Sequence, residues 1–104
     1  MAQAKNTLGI IVNSNRYFDY VTHLAEAAAA HGKTVYIHLL GAGCQFAATD
    51  ACMQLNDLAQ ITMCAKSSQK LEQVFVESVA DQIPLVPAQT LTRVLAQCDR
   101  HVVF

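Results

Sequence analysis

Short runs of apolar, mostly β-branched residues with little polar alternation constrain the fold of this chain most. Runs of this kind are typical of strands buried on both faces of a parallel sheet. The weakest run contains Pro84, which cannot donate to a sheet ladder and favours a strand start or a sheet edge. The five predicted strands are residues 8–12, 34–40, 60–64, 83–86 and 101–104.

Between these strands, apolar residues recur at helical spacing. Gly32 follows the first stripe where a helix commonly ends in the left-handed conformation, Ser67 or Ser68 is placed to cap the third helix, and Pro87 fits the start of the fourth. The four stripes are Tyr17, Val21, Leu24, Ala25 and Ala28; Ala48, Ala51, Cys52 and Leu55; Leu71, Val74, Phe75 and Ser78; and Leu91, Val94, Leu95 and Cys98.

Strictly alternating strands and helices predict right-handed crossover connections and a parallel sheet. We therefore expect residues 1–104 to form a single α/β domain. The predicted architecture is a three-layer α/β/α sandwich with a five-stranded, mostly parallel sheet, as in flavodoxin-like folds.

Composition narrows the classes of partner. The chain of 104 residues is 53% hydrophobic and 14% charged, which is apolar for a small domain and predicts that some surface is buried between subunits. A net charge of -1 argues against nucleic acid. The longest uncharged stretch, residues 34–49, is too short to span a bilayer, and residues 1–7 show no signal core. We expect a cytoplasmic chain without membrane association.

The four cysteines predict thiol chemistry rather than a metal centre. Cys44, Cys52, Cys64 and Cys98 form no Cys-x-x-Cys motif and no cluster with histidine, so no metal site is expected. Gly41-x-Gly43 lacks the remaining glycine of a dinucleotide fingerprint, so no cofactor is expected either.

Ligands of open α/β sheets gather at the carboxyl ends of the strands. Three segments, residues 13–16, 41–45 and 64–68, are predicted to meet there, and we refer to them together as the carboxyl rim. Cys64 ends a strand and precedes a helix, with Lys66 nearby, and both features favour the thiolate of a nucleophile. The alternative is a buried strand cysteine that acts as a small apolar residue.

The remaining candidates have weaker signals. Cys44 lies in a glycine-flanked, flexible loop and is a mobile partner thiol, a resolving cysteine or an exposed loop residue. Cys52 and Cys98 each sit in an apolar helical stripe and are expected in the core. His38 and His101 lie in strands, where catalysis is a weaker interpretation than a satisfied core or surface histidine.

The chain resembles the DsrE family, which includes TusD-like sulfur relay proteins. The resemblance spans nearly the whole sequence and is carried by residues 8–12, the alanine-rich segment 24–30, His31-Gly32-Lys33 before the strand 35–39, Ile61-Thr62-Met63-Cys64, and the closing residues 98–104.

This resemblance implies a sheet domain that assembles into trimers or hexamers, often with sister subunits. In active members, a cysteine at the end of the third strand carries sulfur as a persulfide and passes it to a small carrier protein, and Cys64 matches that cysteine. Lys66, Ser67 and Ser68 would support it. Active relay members usually follow the cysteine with small residues and an Arg-Gly pair, which residues 66–71 lack.

Three functions follow in order of preference. The first is intracellular sulfur transfer between donor and acceptor proteins by a possible sulfurtransferase, with Cys64 as the carrier and Cys44 as a possible second thiol. The second is a non-catalytic oligomeric subunit or small-ligand binding module that uses the same rim. A redox-sensing pair between Cys44 and Cys64 is a distant third.

Overall fold

The computed structural model describes residues 6–68, 83–87 and 89–104. The predicted third helical stripe, Leu71 to Ser78, lies outside these residues. Strands and helices alternate along the described chain. The elements are β1 (Thr7–Val12), α1 (Phe18–Ala30), β2 (Thr34–Leu39), a 3-10 helix (Gly41–Ala48), α2 (Asp50–Leu55), β3 (Ala59–Cys64), α3 (Ala65–Ser68), β4 (Leu85–Val86), α4 (Gln89–Gln97) and β5 (Arg100–Val103).

The five strands form one sheet in the order β4-β3-β2-β1-β5, and every neighbouring pair is parallel. The predicted α/β class is confirmed, and a mostly parallel sheet proves to be entirely parallel. Pro84 precedes β4 at the sheet edge, as expected, and its carbonyl accepts the Met63 N–H at 3.0 Å. The order of the strands reverses at β1, which lies between β2 and β5.

One face of the sheet carries the hydrophobic core. Side chains such as Ile10, Ile37 and Met63 are buried there against α1 and α2. Each buried aliphatic side chain of this size contributes roughly 1.5–3 kcal/mol. Gly32 ends the α1 turn with φ of +79°, which confirms the predicted left-handed helix end.

The opposite face is covered by α4. Alternate strand residues point to opposite faces, and Tyr36 and His38 line a cavity together with Leu91 and Val94 of α4. Gly9 lets the chain after α4 approach β1, since a Cβ at this glycine would lie 3.1 Å from Cys98 Sγ. Helices on both faces make the molecule a three-layer sandwich with flavodoxin-like layers.

The expectation of a flexible loop after β2 is wrong. The segment forms the 3-10 helix, because Cys44, Phe46 and Ala47 are buried and tie it to the core. Phe46 packs on Phe18 with ring centroids 4.9 Å apart, a tilted contact that adds about 0.5–1.5 kcal/mol to area burial. Gly43 sits directly on the Val12 carbonyl, where any Cβ would overlap the backbone.

Hydrogen bonds join β1 to the last part of the chain. The buried Thr7 hydroxyl donates to the Gln97 carbonyl at 3.2 Å and accepts the Asp99 N–H at 2.9 Å. The Phe104 carbonyl accepts the Asn13 N–H at 2.7 Å.

Within the described residues, no helix is both long and apolar enough to cross a membrane.

We expect Gly43→Ala to destabilise the protein, because the new methyl group must push the 3-10 helix away from β1. Overpacking of this kind costs about 2 kcal/mol or more, which lowers the melting temperature of a domain this size by about 10 °C. Ala48→Ser, at an exposed position of the same helix, is the control and should change stability by less than about 0.5 kcal/mol. Equal melting temperatures for the two variants would contradict the contact.

Candidate functional site

The structure brings the three segments of the carboxyl rim together. Asn15 Nδ2 donates to Gln45 Oε1 at 3.1 Å, which joins the first segment to the second. The Gly41 N–H donates to Ser67 Oγ at 3.0 Å, which joins the second to the third. Because all strands are parallel, their carboxyl ends share one edge of the sheet, as the sequence predicts.

Cys64 is the last residue of β3, and α3 begins at the next residue, Ala65. Its sulfur accepts hydrogen bonds from the backbone N–H groups of Lys66 and Ser67. This is the arrangement of a helix N-cap, in which a side chain accepts from the second and third residues of the first turn. Both serines lie within α3, and the predicted cap by Ser67 or Ser68 concerns the helix that carries Leu71 to Ser78, which lies outside the described residues.

Hydrogen bonding makes Cys64 the cysteine most disposed to ionise. Burial alone raises the pKa of its thiol, but the N–H and hydroxyl of Ser67, the N–H of Lys66 and the Lys66 charge together bring that pKa below its ordinary value. Lys66 is exposed, so solvent and salt screen its charge. The hydrogen bonds are the larger favourable influence. Cys64 is 8% exposed, so its sulfur lies just beneath the rim surface.

The Ser67 hydroxyl connects Cys64 to the 3-10 helix. It donates to the Cys64 sulfur and accepts the Gly41 N–H, which uses both the donor and an acceptor site of the hydroxyl. Gly41 has φ of +55°, and a Cβ there would lie 2.6 Å from Asn13 Oδ1. The positive φ therefore favours glycine at the point where this N–H is aimed at Ser67.

Cys44 lies close enough to Cys64 for the two sulfurs to interact electrostatically. Cys44 is fully buried, and burial together with the Cys64 thiolate raises the pKa of Cys44 to about 11. Both cysteines are free thiols. At neutral pH the pair therefore holds one thiol disposed to ionise and one that stays protonated.

The other two cysteines behave differently from Cys64. Cys52 is in the core, as expected, and burial raises its pKa to about 12. Cys98 is half-buried against Gly9 and lies just beyond α4, outside the main core cluster. Burial raises the pKa of Cys98, an effect that hydrogen bonding with the Thr7 side chain opposes and the Asp99 charge reinforces.

The histidines do not join the carboxyl rim. His38 is 3% exposed, and its Nδ1 is 2.8 Å from Thr62 Oγ1. Burial lowers the pKa of His38, so the ring is a neutral, hydrogen-bonded strand residue. His101 is exposed on β5. In the part of the chain that the structure describes, no three His, Cys, Asp or Glu side chains are grouped to hold a metal ion.

Sequence reasoning placed Ser67 near Cys64 but missed its role. The three-residue spacing from Cys64 to Ser67 is that of an N-cap and the third helical residue, a signal that capping motifs use. Lys66 lies close to Cys64, as predicted, and its charge acts on the thiol. The side chain of Ser68 lies outside what the structure describes. The Asn15 and Gln45 pair carried no local signal, because 30 residues separate its members.

In comparisons with known proteins, the chain matches no family model, no curated protein and no solved structure. The fold and the geometry of the carboxyl rim are therefore the basis for assigning a function.

We expect Ser67→Ala to raise the pKa of Cys64, because the variant removes a hydrogen bond from the thiolate. The measurement is the rate of Cys64 alkylation by iodoacetamide as a function of pH, followed by mass spectrometry of the modified peptide. Thiolate is the reactive form, so the midpoint of the profile reports the pKa. The midpoint should lie below the ordinary cysteine value in the wild type and move to higher pH in the variant.

Ser14→Ala is the matched control, because Ser14 is also a rim serine and its hydroxyl accepts from Arg16 N–H, remote from the Cys64 hydrogen bonds. Its profile should coincide with that of the wild type. A Cys64 midpoint at or above that of Cys98, or one that Ser67→Ala leaves in place, would contradict the geometry.

Proposed function

We propose that this chain is a sulfur carrier of the DsrE type, which holds a persulfide on Cys64 and passes its outer sulfur to an acceptor thiol. One observation carries the proposal: a cysteine at the end of the third strand accepts three hydrogen bonds that favour its anion. The all-parallel sheet with helices on both faces supports it, because this is the fold that the resemblance implies.

The proposed reaction is a transfer of sulfane sulfur with no net oxidation. The Cys64 thiolate attacks the outer sulfur of a donor persulfide, a new S–S bond forms on Cys64, and the donor leaves as a thiolate that takes up a proton. An acceptor thiolate then attacks the terminal sulfur, which restores the Cys64 thiolate. Both steps use the anion of Cys64, first as nucleophile and then as leaving group.

The hydrogen bonds at Cys64 favour both steps in different ways. In the first step they raise the fraction of thiolate at neutral pH. In the second they stabilise the departing thiolate, since a thiol of lower pKa leaves faster. The N–H groups of Lys66 and Ser67, with the Lys66 charge, supply here what an Arg-Gly pair is expected to supply in relay members.

The proposed partners are a donor and an acceptor protein that present their sulfur to the rim of a homotrimer or hexamer in the cytoplasm. The slight exposure of Cys64 favours a partner that extends a single side chain or chain end into the rim. All four cysteines are free, in keeping with a reducing compartment. Cys44 is buried and protonated, so its proposed role is to flank Cys64 and not to accept the first sulfur.

Incubation with a low-molecular-weight persulfide donor should add one sulfur atom to the wild type and none to Cys64→Ser. The measurement is the intact mass under non-reducing conditions. Cys98→Ser is the matched control and should load as the wild type does, because Cys98 is half-buried and its pKa is raised.

Loading of Cys64→Ser to the wild-type extent would refute the carrier role, as would a wild type that takes up no sulfur. Ser67→Ala tests whether stabilisation of the Cys64 thiolate, and not only access to its sulfur, controls the rate of loading. It should load more slowly at neutral pH and recover near the wild-type rate at higher pH, where the thiolate forms without assistance.

A second candidate function is a non-catalytic oligomeric subunit, and an exposed apolar patch favours it. Tyr17, Tyr20 and Val103 are 43%, 65% and 59% exposed, and the Tyr17 ring lies 6.3 Å from that of Phe104. The patch adjoins β5, which lies at one edge of the sheet formed by the described strands, and edge strands offer backbone groups for pairing. Exposed aromatic clusters of this kind mark protein contact surfaces.

Tyr20→Glu should reduce the molar mass of the assembly in sedimentation equilibrium, because a carboxylate opposes burial of the patch between copies. Glu26→Gln, at an exposed position on the same helix, is the control and should leave the molar mass unchanged. A monomeric wild type would exclude this role for the patch. If the wild type is oligomeric and also takes up persulfide sulfur, the same protein has both proposed functions.

A further inference from the structure

The cavity between the sheet and α4 lies away from Cys64. Its volume is about 270 Å³. The sheet side of its wall carries polar residues, and the α4 side is mostly apolar. The sheet wall combines Tyr36, His38, Gln60 and Thr62 with Gly9, Ile10, Ile11 and Ile37, and the helix wall combines Leu91, Val94 and Leu95 with Thr90 and Gln97.

The polar wall departs from what an interior parallel strand normally carries. β2 and β3 are flanked by strands on both sides, and such strands are usually apolar on both faces. Here Tyr36 pairs with Gln60 and His38 with Thr62 across the two strands, so four polar side chains form a block on one face. Polar groups beneath a helix destabilise the fold unless hydrogen bonds compensate them.

His38 is the most buried member of this block. Its Nδ1 hydrogen-bonds to Thr62 Oγ1, which fixes the ring and leaves Nε2 as its remaining hydrogen-bonding atom. Since burial lowers the pKa of His38, the ring is neutral near pH 7 and offers one donor and one acceptor nitrogen. Thr62 adds a hydroxyl, and Gln60 adds an amide at the more exposed end.

We propose that this cavity binds a small uncharged molecule with a flat apolar body and one hydrogen-bonding edge, such as a bicyclic nitrogen heterocycle. The apolar body packs against Leu91, Val94 and Leu95, and the hydrogen-bonding edge meets His38 and Thr62. No lysine, arginine, aspartate or glutamate is among the described residues that line the cavity, so this part of its wall offers a charged ligand no counter-ion.

The dimensions agree with this class of ligand. The volume equals that of about nine water molecules in the liquid, which corresponds to a ligand of about ten non-hydrogen atoms. It lies near the lower limit for ligand pockets, about 300 Å³, which favours a small ligand over a drug-sized one. An apolar wall with a few convergent polar groups is the usual composition of such sites.

The test is a titration of the uniformly ¹⁵N-labelled full chain with indazole, followed by NMR. Indazole has adjacent donor and acceptor nitrogens on a bicyclic ring. Indene has the same shape without the nitrogens and tests the hydrogen-bonding edge, and benzoate tests the exclusion of charge. We expect shifts of His38, Thr62 and α4 resonances with indazole, at least fivefold weaker binding of indene, and no benzoate binding at this site.

Two test variants and one control variant make the outcome of the titration decisive. Thr62→Val keeps the side-chain volume and removes the hydroxyl, which should weaken indazole about fivefold through lost ordering of His38 and leave indene unaffected. Thr22→Val is the matched control, because the Thr22 hydroxyl donates to Phe18 carbonyl within α1, away from the cavity. Val94→Trp should fill the cavity and abolish binding of both ligands, with retained spectral dispersion as the test of folding.

The proposal is overturned if indazole shifts resonances elsewhere, for example around the larger cavity at Leu24, His31 and Arg100. Equal affinity of indazole and indene in the wild type would also overturn it, since the polar wall would then contribute nothing. If Val94→Trp does not fold, the Thr62→Val and indene results still decide. No cysteine is among the described residues that line this cavity, so its occupancy is independent of sulfur loading.

Discussion

The contact between Gly43 and the Val12 carbonyl determines how the rest of the rim is arranged. Because no side chain intervenes, the 3-10 helix lies directly on the carboxyl end of β1 and places Phe46 in the core. The same placement aims the Gly41 N–H at the Ser67 hydroxyl, which in turn donates to the Cys64 sulfur. The hydrogen bonding of the thiol thus depends on backbone packing at β1, two strands away in the sheet.

The carboxyl rim gives two neighbouring cysteines different surroundings and therefore different pKa values. Cys64 receives hydrogen bonds from a helical turn, whereas Cys44 is fully buried and its pKa is raised to about 11. Two titratable groups whose pKa values are driven apart can take different roles within one site. The charge on Cys64 itself helps to keep Cys44 protonated, so the separation is reinforced as soon as the first thiol ionises.

The sequence predicted the strands well, because buried parallel strands are read directly from apolar runs such as residues 8–12. The sequence pattern is misleading at glycine, because glycine suits both a flexible loop and a close backbone contact. Gly41 and Gly43 suggest a flexible loop, but both lie where the 3-10 helix approaches the end of β1. The sequence signal against flexibility is Phe46, an apolar residue three positions after Gly43 that is buried in the core. The position of Cys64 follows from the order of strands and helices, but its hydrogen bond from the Ser67 hydroxyl does not, because the sequence pattern gives no sign that a helical turn begins at Ala65. The polar block on β2 and β3 could not be predicted from the sequence, because the pairing of His38 with Thr62 depends on the register between the two strands.

The source of thiolate stabilisation bears on what a partner must provide. Backbone N–H groups of Lys66 and Ser67 belong to the same turn as Cys64, so they are present whenever α3 is formed. An exposed lysine, by contrast, is screened by salt and can turn away from the sulfur. A single copy of this chain therefore contains the groups that favour the Cys64 anion, and no charge from another subunit is needed to create it. The groups that contact the sulfur lie close to the end of β3, and a contact with another protein would change access to this slightly exposed atom rather than its hydrogen bonds.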